Sequence, residues 1–154
     1  MSDGVRRLAP AETHDLRRRV LRDGDDAAVV VWSGDDDPST VHLGVALDGR
    51  VVAISTWLSA PGPDGVTATQ LRGMATDPAE VGRGHGRALL RAGIDHARRR
   101  GSAMVWANAR STALDFYLRS GFCASGPEFE TAEVHLPHRL VTRDVRDDEP
   151  SARG

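Results

Sequence analysis

The sequence contains no lysine, and all 20 of its basic residues are arginine. A nucleotide-binding P-loop requires a Gly-Lys-Ser/Thr segment for the β- and γ-phosphates, and pyridoxal enzymes require a lysine that forms a Schiff base. Neither class of protein can be built from this chain. The missing lysine therefore excludes two large groups of nucleotide and cofactor chemistry.

Cysteine is almost absent as well. Cys123 stands alone, so the chain can form no internal disulfide and no thiolate zinc site. Cys123 follows Gly121-Phe122 in a predicted strand, and we interpret it as a buried structural residue, not a nucleophile. His135 and His138 lie close in sequence, but no further ligands accompany them, so no metal is expected.

Long apolar runs and an excess of positive charge are also missing. No run approaches the ~18 residues of a membrane span, and no apolar stretch follows the arginines near the N-terminus. The 22 acidic residues outnumber the 20 basic ones, which argues against a broad nucleic-acid-binding surface. We expect a cytoplasmic protein without membrane or nucleic-acid partners, and we interpret the arginine triplets 17–19 and 98–100 as solvated faces.

The length of 154 residues suits one domain and leaves no room for a second. No internal repeat is visible. We expect a single domain over residues 1–143, followed by a polar, disordered tail over residues 144–154.

A β-hairpin gives the clearest local signal. Strands are predicted over Val41–Leu47 and Val51–Leu58, and the Asp48-Gly49 dipeptide between them favours a two-residue hairpin turn. A third strand is predicted over Val66–Thr76. Gly73 interrupts this strand, and a glycine inside a strand often marks a bulge or the close approach of a ligand or another backbone.

Helical periodicity occupies three other segments. Residues 11–21 carry apolar side chains at the spacing of one helical face, and residues 84–100 have the pattern of a longer amphipathic helix. A third helix is predicted over residues 111–120. Short strands are expected over residues 103–107, near Cys123 and over residues 133–143, whereas residues 23–38 give no clear pattern.

Three glycines alternate with other residues before the long helix, in Gly82-Arg83-Gly84-His85-Gly86-Arg87. Alternating glycines let successive main-chain N–H groups point inward, and the helix dipole adds partial positive charge, so the segment suits phosphates. A dinucleotide fingerprint does not fit, because Arg87 or Leu89 stands where its last glycine is required. Taken alone, the segment also fits an ordinary flexible loop.

The loop resembles motif A of the GNAT superfamily of N-acetyltransferases, Gln/Arg-x-x-Gly-x-Gly/Ala, which follows a strand and a proline turn. Here Leu71–Pro78 lead into Gly84-x-Gly86. A second segment, Ala113–Phe122, is similar to the superfamily's Ala-x-x-Phe-Tyr-x-x-x-Gly-Phe block. The resemblance spans most of residues 5–143, and Arg17–Leu21 and Gly126–Phe129, with Leu136–His138, look like the ElaA-type branch.

The resemblance implies an α/β (α+β) fold with a central mixed, mostly antiparallel sheet, flanked by helices and splayed at an acetyl-CoA cleft. Gly73 would mark the bulge that separates the strands. The main chain of Met74, Ala75 and Thr76 would pair with the pantetheine arm of the coenzyme. The diphosphate would be held by Gly82, Arg83, Gly84, His85, Gly86 and Arg87.

The implied activity is transfer of an acetyl group from acetyl-CoA to an amine by direct attack. Tyr117 matches the tyrosine to which the family commonly assigns the general-acid role, although it can instead be a packing residue. The N–H of Met74 or Ala75 is the candidate oxyanion donor. His138 is the preferred base because histidine titrates near neutrality. Asp77, Glu130, Glu133 and His135 remain alternatives.

Two departures from the family pattern keep a second function open. Val81 stands where motif A usually has Gln or Arg, and Arg110 stands where an asparagine often precedes the second block. The alternative is a non-catalytic acyl-CoA binding or sensing domain of the same fold. Nothing in the sequence distinguishes among amine acceptors. The resemblance also allows a homodimer, because this fold often pairs through exposed sheet edges.

Overall fold

The structure of the protein is a computed structural model that describes residues 4–131 and 134–146. Seven strands form a sheet in the order β1-β2-β3-β4-β5-β7-β6. The pairing of β4 with β5 is parallel, whereas β1-β2, β2-β3, β5-β7 and β6-β7 are antiparallel. The mixed, mostly antiparallel sheet is therefore confirmed. The strands are β1 (Val5–Leu8), β2 (Val41–Leu47), β3 (Arg50–Ser59), β4 (Ala68–Thr76), β5 (Met104–Arg110), β6 (Cys123–Glu130) and β7 (Pro137–Asp144).

Within the described residues, three α-helices accompany the strands. They are α1 (His14–Leu16), α2 (His85–Arg99) and α3 (Leu114–Arg119). Short 3₁₀ turns at Pro10–Thr13, Pro78–Glu80 and Ser111–Ala113 precede them, and a π-helical turn, Arg17–Leu21, follows α1. All three predicted helices are present, the first as a succession of three turn types. Residues 22–40 contain neither helix nor strand, and β1 is an element that the sequence analysis missed.

The chain divides into two compact units. One comprises Met1–Ser59 and Leu71–His96, and the other comprises Ala60–Gln70 and Ala97–Gly154. Strand β4 contributes to both, with its last six residues in the first unit. The expectation of a single domain stays a prediction.

The core of the first unit contains two clusters of apolar side chains. Adjacent residues of a regular strand point to opposite faces of a sheet, and Ala53 and Ile54 accordingly belong to different clusters, whereas Val52 shares the cluster of Ala53 at the register shift between β2 and β3. The side chains of β4 alternate in the same way, because Met74 packs against the first cluster and Ala75 belongs to the second. The first cluster is Val5, Val45, Val52, Ala53 and Leu89, and the second is Leu8, Leu16, Ile54 and Ala75.

The predicted hairpin is confirmed with its turn. Asp48 and Gly49 have φ angles of 52° and 78°, and two consecutive residues of positive φ are the signature of the mirror-image turn. The strands pair from Val41 with Trp57 to Leu47 with Arg50. Trp57 is fully buried, and a Cβ at Gly93 of α2 would overlap its indole ring, so this glycine allows the helix to approach β3 closely.

The second unit extends beyond the predicted end of the domain. Strand β7 runs to Asp144, Val145 is fully buried, and the Val145 N–H donates to the Ala103 carbonyl at 3.0 Å. Asp144 and Val145 thus have ordered structure after residue 143, and Val105, Val141 and Val145 are all fully buried, whereas the predicted domain bounds stay a prediction. Residues 147–154 lie outside the described part of the chain. The expected burial of Cys123 was also wrong, because its side chain is exposed.

Candidate active site

The glycine-rich loop places main-chain N–H groups at the start of α2. Gly82 and Gly84 have φ angles of +87° and +85°, a left-handed conformation that glycine adopts without strain. The first helical hydrogen bond runs from Ala88 N–H to the Gly84 carbonyl at 3.0 Å. The amides of His85 to Arg87 therefore have no acceptor in the described main chain, which is the condition for anion binding at a helix N-terminus.

Space and charge around this loop also fit an anion. Apart from their chain neighbours, no described residue has an atom within 4 Å of a Cβ built at Gly82 or Gly84, so there is free space beside both glycines. The side chain of Arg83 is 66% exposed, and Arg87 is exposed as well. Both side chains are thus exposed to solvent, and their contribution to binding a phosphate stays a prediction.

A buried polar pair lies behind the loop. Glu80 and His85 keep only 13% and 14% of their side chains exposed, and Glu80 Oε1 lies 3.6 Å from His85 Nε2. This distance is too long for a hydrogen bond, and neither atom has a hydrogen-bond partner among the described residues. Arg83 Nε lies at the same 3.6 Å from the carboxylate. The side chain of His85 thus faces Glu80. The part of His85 that can bind a phosphate beside the neighbouring amides is its main-chain N–H.

Strand β4 contains Gly73, the position at which a bulge was predicted, and residues 74–76, which were predicted to pair with pantetheine. Gly73 has φ of +63° in the middle of the strand, the conformation that glycine supplies at a bulge. The ladder with β5 covers only Ala68–Gln70 and Met104–Trp106. The main chain of residues 74–76 therefore takes no part in that ladder, while the side chains of Met74 and Ala75 anchor the strand in the core.

Asp77, one of the alternative bases, has a structural role after β4. Its carboxylate accepts hydrogen bonds from Ala79 N–H at 3.0 Å and from Arg19 and Arg50 at 3.2 Å each. The Ala79 hydrogen bond, followed by the bond from Arg19, lowers the pKa of this carboxyl. A carboxylate stabilised in this way is a poor proton acceptor, which disfavours Asp77 as the base.

A buried ion pair, which the sequence analysis did not anticipate, lies in the first unit. Arg17 is fully buried, and its guanidinium donates to the Asp35 carboxylate at 2.6 and 3.1 Å. It also donates to the Val30 carbonyl at 2.8 Å and to Thr56 Oγ1 at 3.0 Å. The interpretation of the first arginine triplet as a solvated face was therefore wrong for Arg17, which lies on the buried face of its helical turn.

The partners of Asp35 keep it ionised. Burial by itself raises the pKa of this carboxyl, but hydrogen bonds from Arg17, from the Trp32 N–H and from Arg72 outweigh it and lower the pKa to about 2. Trp32 N–H lies 2.8 Å from Oδ2, and Arg72 lies 3.0 Å from Oδ1. Residues 29–35, here called the Trp32 loop, are thus held around one carboxylate.

His42 completes this network in its neutral form. Its Nε2 donates to the Asp35 carbonyl at 3.1 Å, so its Nδ1 accepts from Thr56 Oγ1 at 2.8 Å. Burial lowers the pKa of His42. The neutral ring leaves Thr56 Oγ1 free to accept from Arg17, so the hydrogen bonds of all three side chains are mutually consistent.

Tyr117, the predicted acid, lies in the second unit on α3. Its ring makes edge-to-face contacts with Phe116 and Phe122, at centroid distances of 5.3 and 5.4 Å. Only 7% of the residue is exposed, and burial raises the pKa of the phenol to about 12. The hydroxyl is therefore protonated at neutral pH, and no described residue hydrogen bonds to it.

His138, the preferred base, lies on β7 in the same unit. Its Nδ1 donates to the Leu136 carbonyl at 2.7 Å, which leaves the Nε2 lone pair as an acceptor in the neutral ring. The imidazole stacks on Phe129 at 6.0 Å between ring centres and is 6% exposed. His135 and Glu130 instead form an exposed pair at 3.3 Å. Glu133 lies outside the described residues.

The structure thus distributes the predicted site residues over both units. Residues 74–76 and 82–87 belong to the first unit, and Tyr117 and His138 belong to the second. Within residues 4–131 and 134–146, no group of three or more His, Cys, Asp or Glu side chains is arranged to hold a metal ion. No helix in that part of the chain is long and apolar enough to cross a membrane.

The comparison with protein families defines the class of protein. Residues 7–122 match the model of the Acetyltransferase (GNAT) family, and this range includes the glycine-rich loop, the bulged strand and Tyr117. The match covers well over half of the chain. The protein therefore belongs to the GNAT acetyltransferase family.

Similar proteins support this assignment. The uncharacterized N-acetyltransferase YitI of Bacillus subtilis (strain 168) is 27% identical over 128 residues, which are 82% of this chain and 86% of YitI. Escherichia coli ElaA superposes with a TM-score of 0.73 at 16% identity, over 91% of this chain and 98% of ElaA. An aminoglycoside 6'-N-acetyltransferase complexed with coenzyme A superposes with a TM-score of 0.75 at 10% identity, over 95% of this chain and 98% of that chain. Both structural matches show a shared fold.

Proposed function

We propose that the protein is an N-acetyltransferase that moves an acetyl group from acetyl-CoA to an amine by direct attack of the amine on the thioester. The observation that carries the proposal is the series of amides from Gly82 to Arg87 at the start of α2, which donate to no main-chain carbonyl of the described residues. Family membership and the naming of YitI as an N-acetyltransferase support it. The coenzyme A complex of a protein with the same fold supports the nature of the donor.

The loop would hold the diphosphate of the donor. Phosphate oxygens accept hydrogen bonds from amides that have no other acceptor, and the N-terminal end of a helix contributes about half a positive charge. Arg83 and Arg87 add charge-assisted hydrogen bonds. Because Val81 has no polar side chain at the position of the family's Gln or Arg, the main chain carries more of the binding here.

The reaction transfers one proton for each acetyl group. The neutral amine nitrogen attacks the thioester carbonyl carbon, the C–S bond breaks, the nitrogen loses a proton and the sulfur gains one. Main-chain N–H of Met74 or Ala75 would donate to the carbonyl oxygen as it becomes negative. His138, through its Nε2, would accept the proton that the attacking nitrogen loses, and the thiolate would take its proton from solvent after it leaves.

Tyr117 would act as a hydrogen-bond donor to the departing sulfur. An ordinary thiol has a pKa of about 8.5, whereas burial raises the pKa of Tyr117 to about 12. Complete transfer of the phenolic proton to the thiolate is therefore uphill. A hydrogen bond from the neutral phenol still stabilises the negative charge on sulfur in the transition state.

Substitution of Tyr117 by phenylalanine tests this role. The change removes only the hydroxyl and keeps the ring contacts with Phe116 and Phe122, so the fold should be unaffected. We expect kcat to fall by at least about tenfold, because a hydrogen bond that stabilises the transition state is lost, with the Kd for acetyl-CoA unchanged. Release of free coenzyme is measured with a panel of amines. Wild-type turnover in the variant would remove Tyr117 from the mechanism.

His138 is tested against the other histidine of its segment. We expect His138→Gln to lower kcat/KM by about tenfold or more, because the variant lacks the basic nitrogen. His135→Gln is the matched control, since His135 is exposed and paired with Glu130, and it should keep wild-type activity. The measurement is the pH dependence of kcat/KM for all three proteins. Equal losses in the two variants would show that His138 is not the base.

The second candidate function is a non-catalytic acyl-CoA binding or sensing domain. Val81, which is 67% exposed beside the loop, favours it, because the family's polar side chain is missing there. The two functions differ in one result: only the enzyme releases coenzyme when amines are added. We expect the active protein to be cytoplasmic, to need no metal and to act on a small or protein-borne amine, and a homodimer stays a prediction.

A further inference from the structure

The buried Arg17 has no part in the proposed acid–base chemistry or in the diphosphate loop. Removing two charges from water is costly, and apolar residues of similar volume often stabilise a core equally well or better. The Arg17–Asp35 pair therefore need not make the protein more stable than two apolar residues at the same positions would. Its contacts indicate instead a role in fixing local geometry.

The geometry that it fixes is that of the Trp32 loop. The Arg17 guanidinium lies 3.8 Å above the Trp32 ring and donates to the Val30 carbonyl and the Asp35 carboxylate. Asp35 accepts in turn from the Trp32 N–H. Arg17 thus contacts one face of the indole. Asp35, the ion-pair partner of Arg17, holds the main chain of Trp32.

The Trp32 ring lies directly against the bulge of β4. A Cβ built at Gly73 would come within 2.8 Å of Trp32 Cζ3 and 3.6 Å of Arg17 Nε. Arg17 Nε has no hydrogen-bond partner among the described residues. The neighbouring Arg72 side chain donates to the Ser33 carbonyl and to Asp35. Arg72 of β4 therefore contacts the Trp32 loop, and the Trp32 ring leaves no room for a Cβ at the next residue, Gly73.

We propose that Arg17 and Trp32 are positioning residues, which hold the bulge at Gly73 and thereby align the main chain of Met74–Thr76 for acyl transfer. The inference rests on the proposed function. It assigns the Trp32 loop, for which the sequence pattern predicts neither helix nor strand, a part in the reaction. Arg17 also opens a π-helical turn, an irregularity that often accompanies functional sites.

Trp32→Ala provides the main test. A thioester that is misplaced by about 1 Å can lose up to a hundredfold in rate, so we expect kcat to fall by roughly tenfold or more. The Kd for acetyl-CoA should stay within about twofold, because the amides of residues 82–87 retain their geometry. Trp32→Phe keeps an aromatic face over Arg17 and should recover most of kcat.

Val31→Ala is the matched control within the same loop. Val31 is 58% exposed, so its truncation should leave kcat unchanged. All assays are run at a temperature at which circular dichroism shows each variant to be folded. If Trp32→Ala is not folded at the assay temperature, Trp32→Leu is used in its place. Leucine keeps apolar volume but no aromatic ring, so we expect the same loss of kcat.

A double-mutant cycle provides the second measurement. Gly73→Ala introduces a methyl group against the ring and should also lower kcat. If the ring acts through the bulge, the double variant Gly73→Ala/Trp32→Ala loses no more than the worse single variant. If the kcat loss of the double variant equals the product of the two single losses, or if Trp32→Ala keeps the wild-type kcat, this inference is overturned while the proposed function stands. A wild-type protein that binds acetyl-CoA but acetylates no amine would overturn the proposed function and the inference with it.

Discussion

Gly84→Asp is expected to lower the affinity for acetyl-CoA by at least about a hundredfold while the protein stays folded. A carboxylate at this position lies among the amides that would hold the diphosphate, and like charges about 4 Å apart repel by roughly 4 kcal/mol near a protein surface. A side chain at φ of +85° adds backbone strain of about 1–2 kcal/mol. Calorimetry measures the binding, and urea denaturation measures the stability.

Two variants separate charge from strain. Gly84→Asn has the same size and the same strained backbone but no charge, so we expect a much smaller loss of affinity. Gly49→Asp introduces the same residue at a φ of +78°, where no atom lies within 4 Å of the added Cβ. It should destabilise the protein by a similar amount and leave binding unchanged. Wild-type affinity in Gly84→Asp would place the coenzyme elsewhere.

Asp35→Asn is expected to lower the free energy of unfolding by about 3–5 kcal/mol. The substitution removes one charge of a buried pair and leaves the guanidinium of Arg17 uncompensated, which is far more costly than losing both partners. Asp36→Asn is the matched control, because Asp36 is the exposed neighbour and surface substitutions usually change stability by less than about 0.5 kcal/mol. Equal stability of the two variants would contradict the account of the buried pair.

The pH dependence of Asp35 gives an independent check on this prediction. The pKa of its carboxyl falls from 3.8 to about 2 on folding, so the stabilisation is fully present above about pH 4 and is lost as the pH falls through 2. The asparagine variant lacks this titration. The difference in unfolding free energy between wild type and Asp35→Asn should therefore narrow between pH 4 and pH 2.

Local signals in the sequence predicted the elements that depend on neighbours in the chain. The Asp48-Gly49 turn and the periodicity of α2 require only nearby residues, and both agree with the structure. The triple-glycine loop was equally visible because it needs a particular backbone conformation. Strand β1 was missed since it is four residues long and depends on pairing with β2, more than 30 residues away along the chain.

The buried ion pair depends on contacts that periodicity does not encode. Asp35 lies 18 residues from Arg17, in a segment without regular structure. Charge counts also do not distinguish Arg17 from its neighbours Arg18 and Arg19. One signal was present in the helical spacing. Thr13, Leu16, Arg17 and Val20 follow the i, i+3, i+4, i+7 pattern of a buried face, and the first three are indeed buried.

The central claim is that the amides from Gly82 to Arg87 hold the diphosphate of an acyl-CoA. Amide chemical shifts of the ¹⁵N-labelled protein, titrated with acetyl-CoA and with S-acetylpantetheine, which lacks the diphosphate, test it most directly. The account predicts that acetyl-CoA produces large, saturable shifts in residues 82–87 and that S-acetylpantetheine leaves these residues unchanged. Saturable binding of acetyl-CoA that leaves these six amides unshifted, or no binding at all, would contradict it.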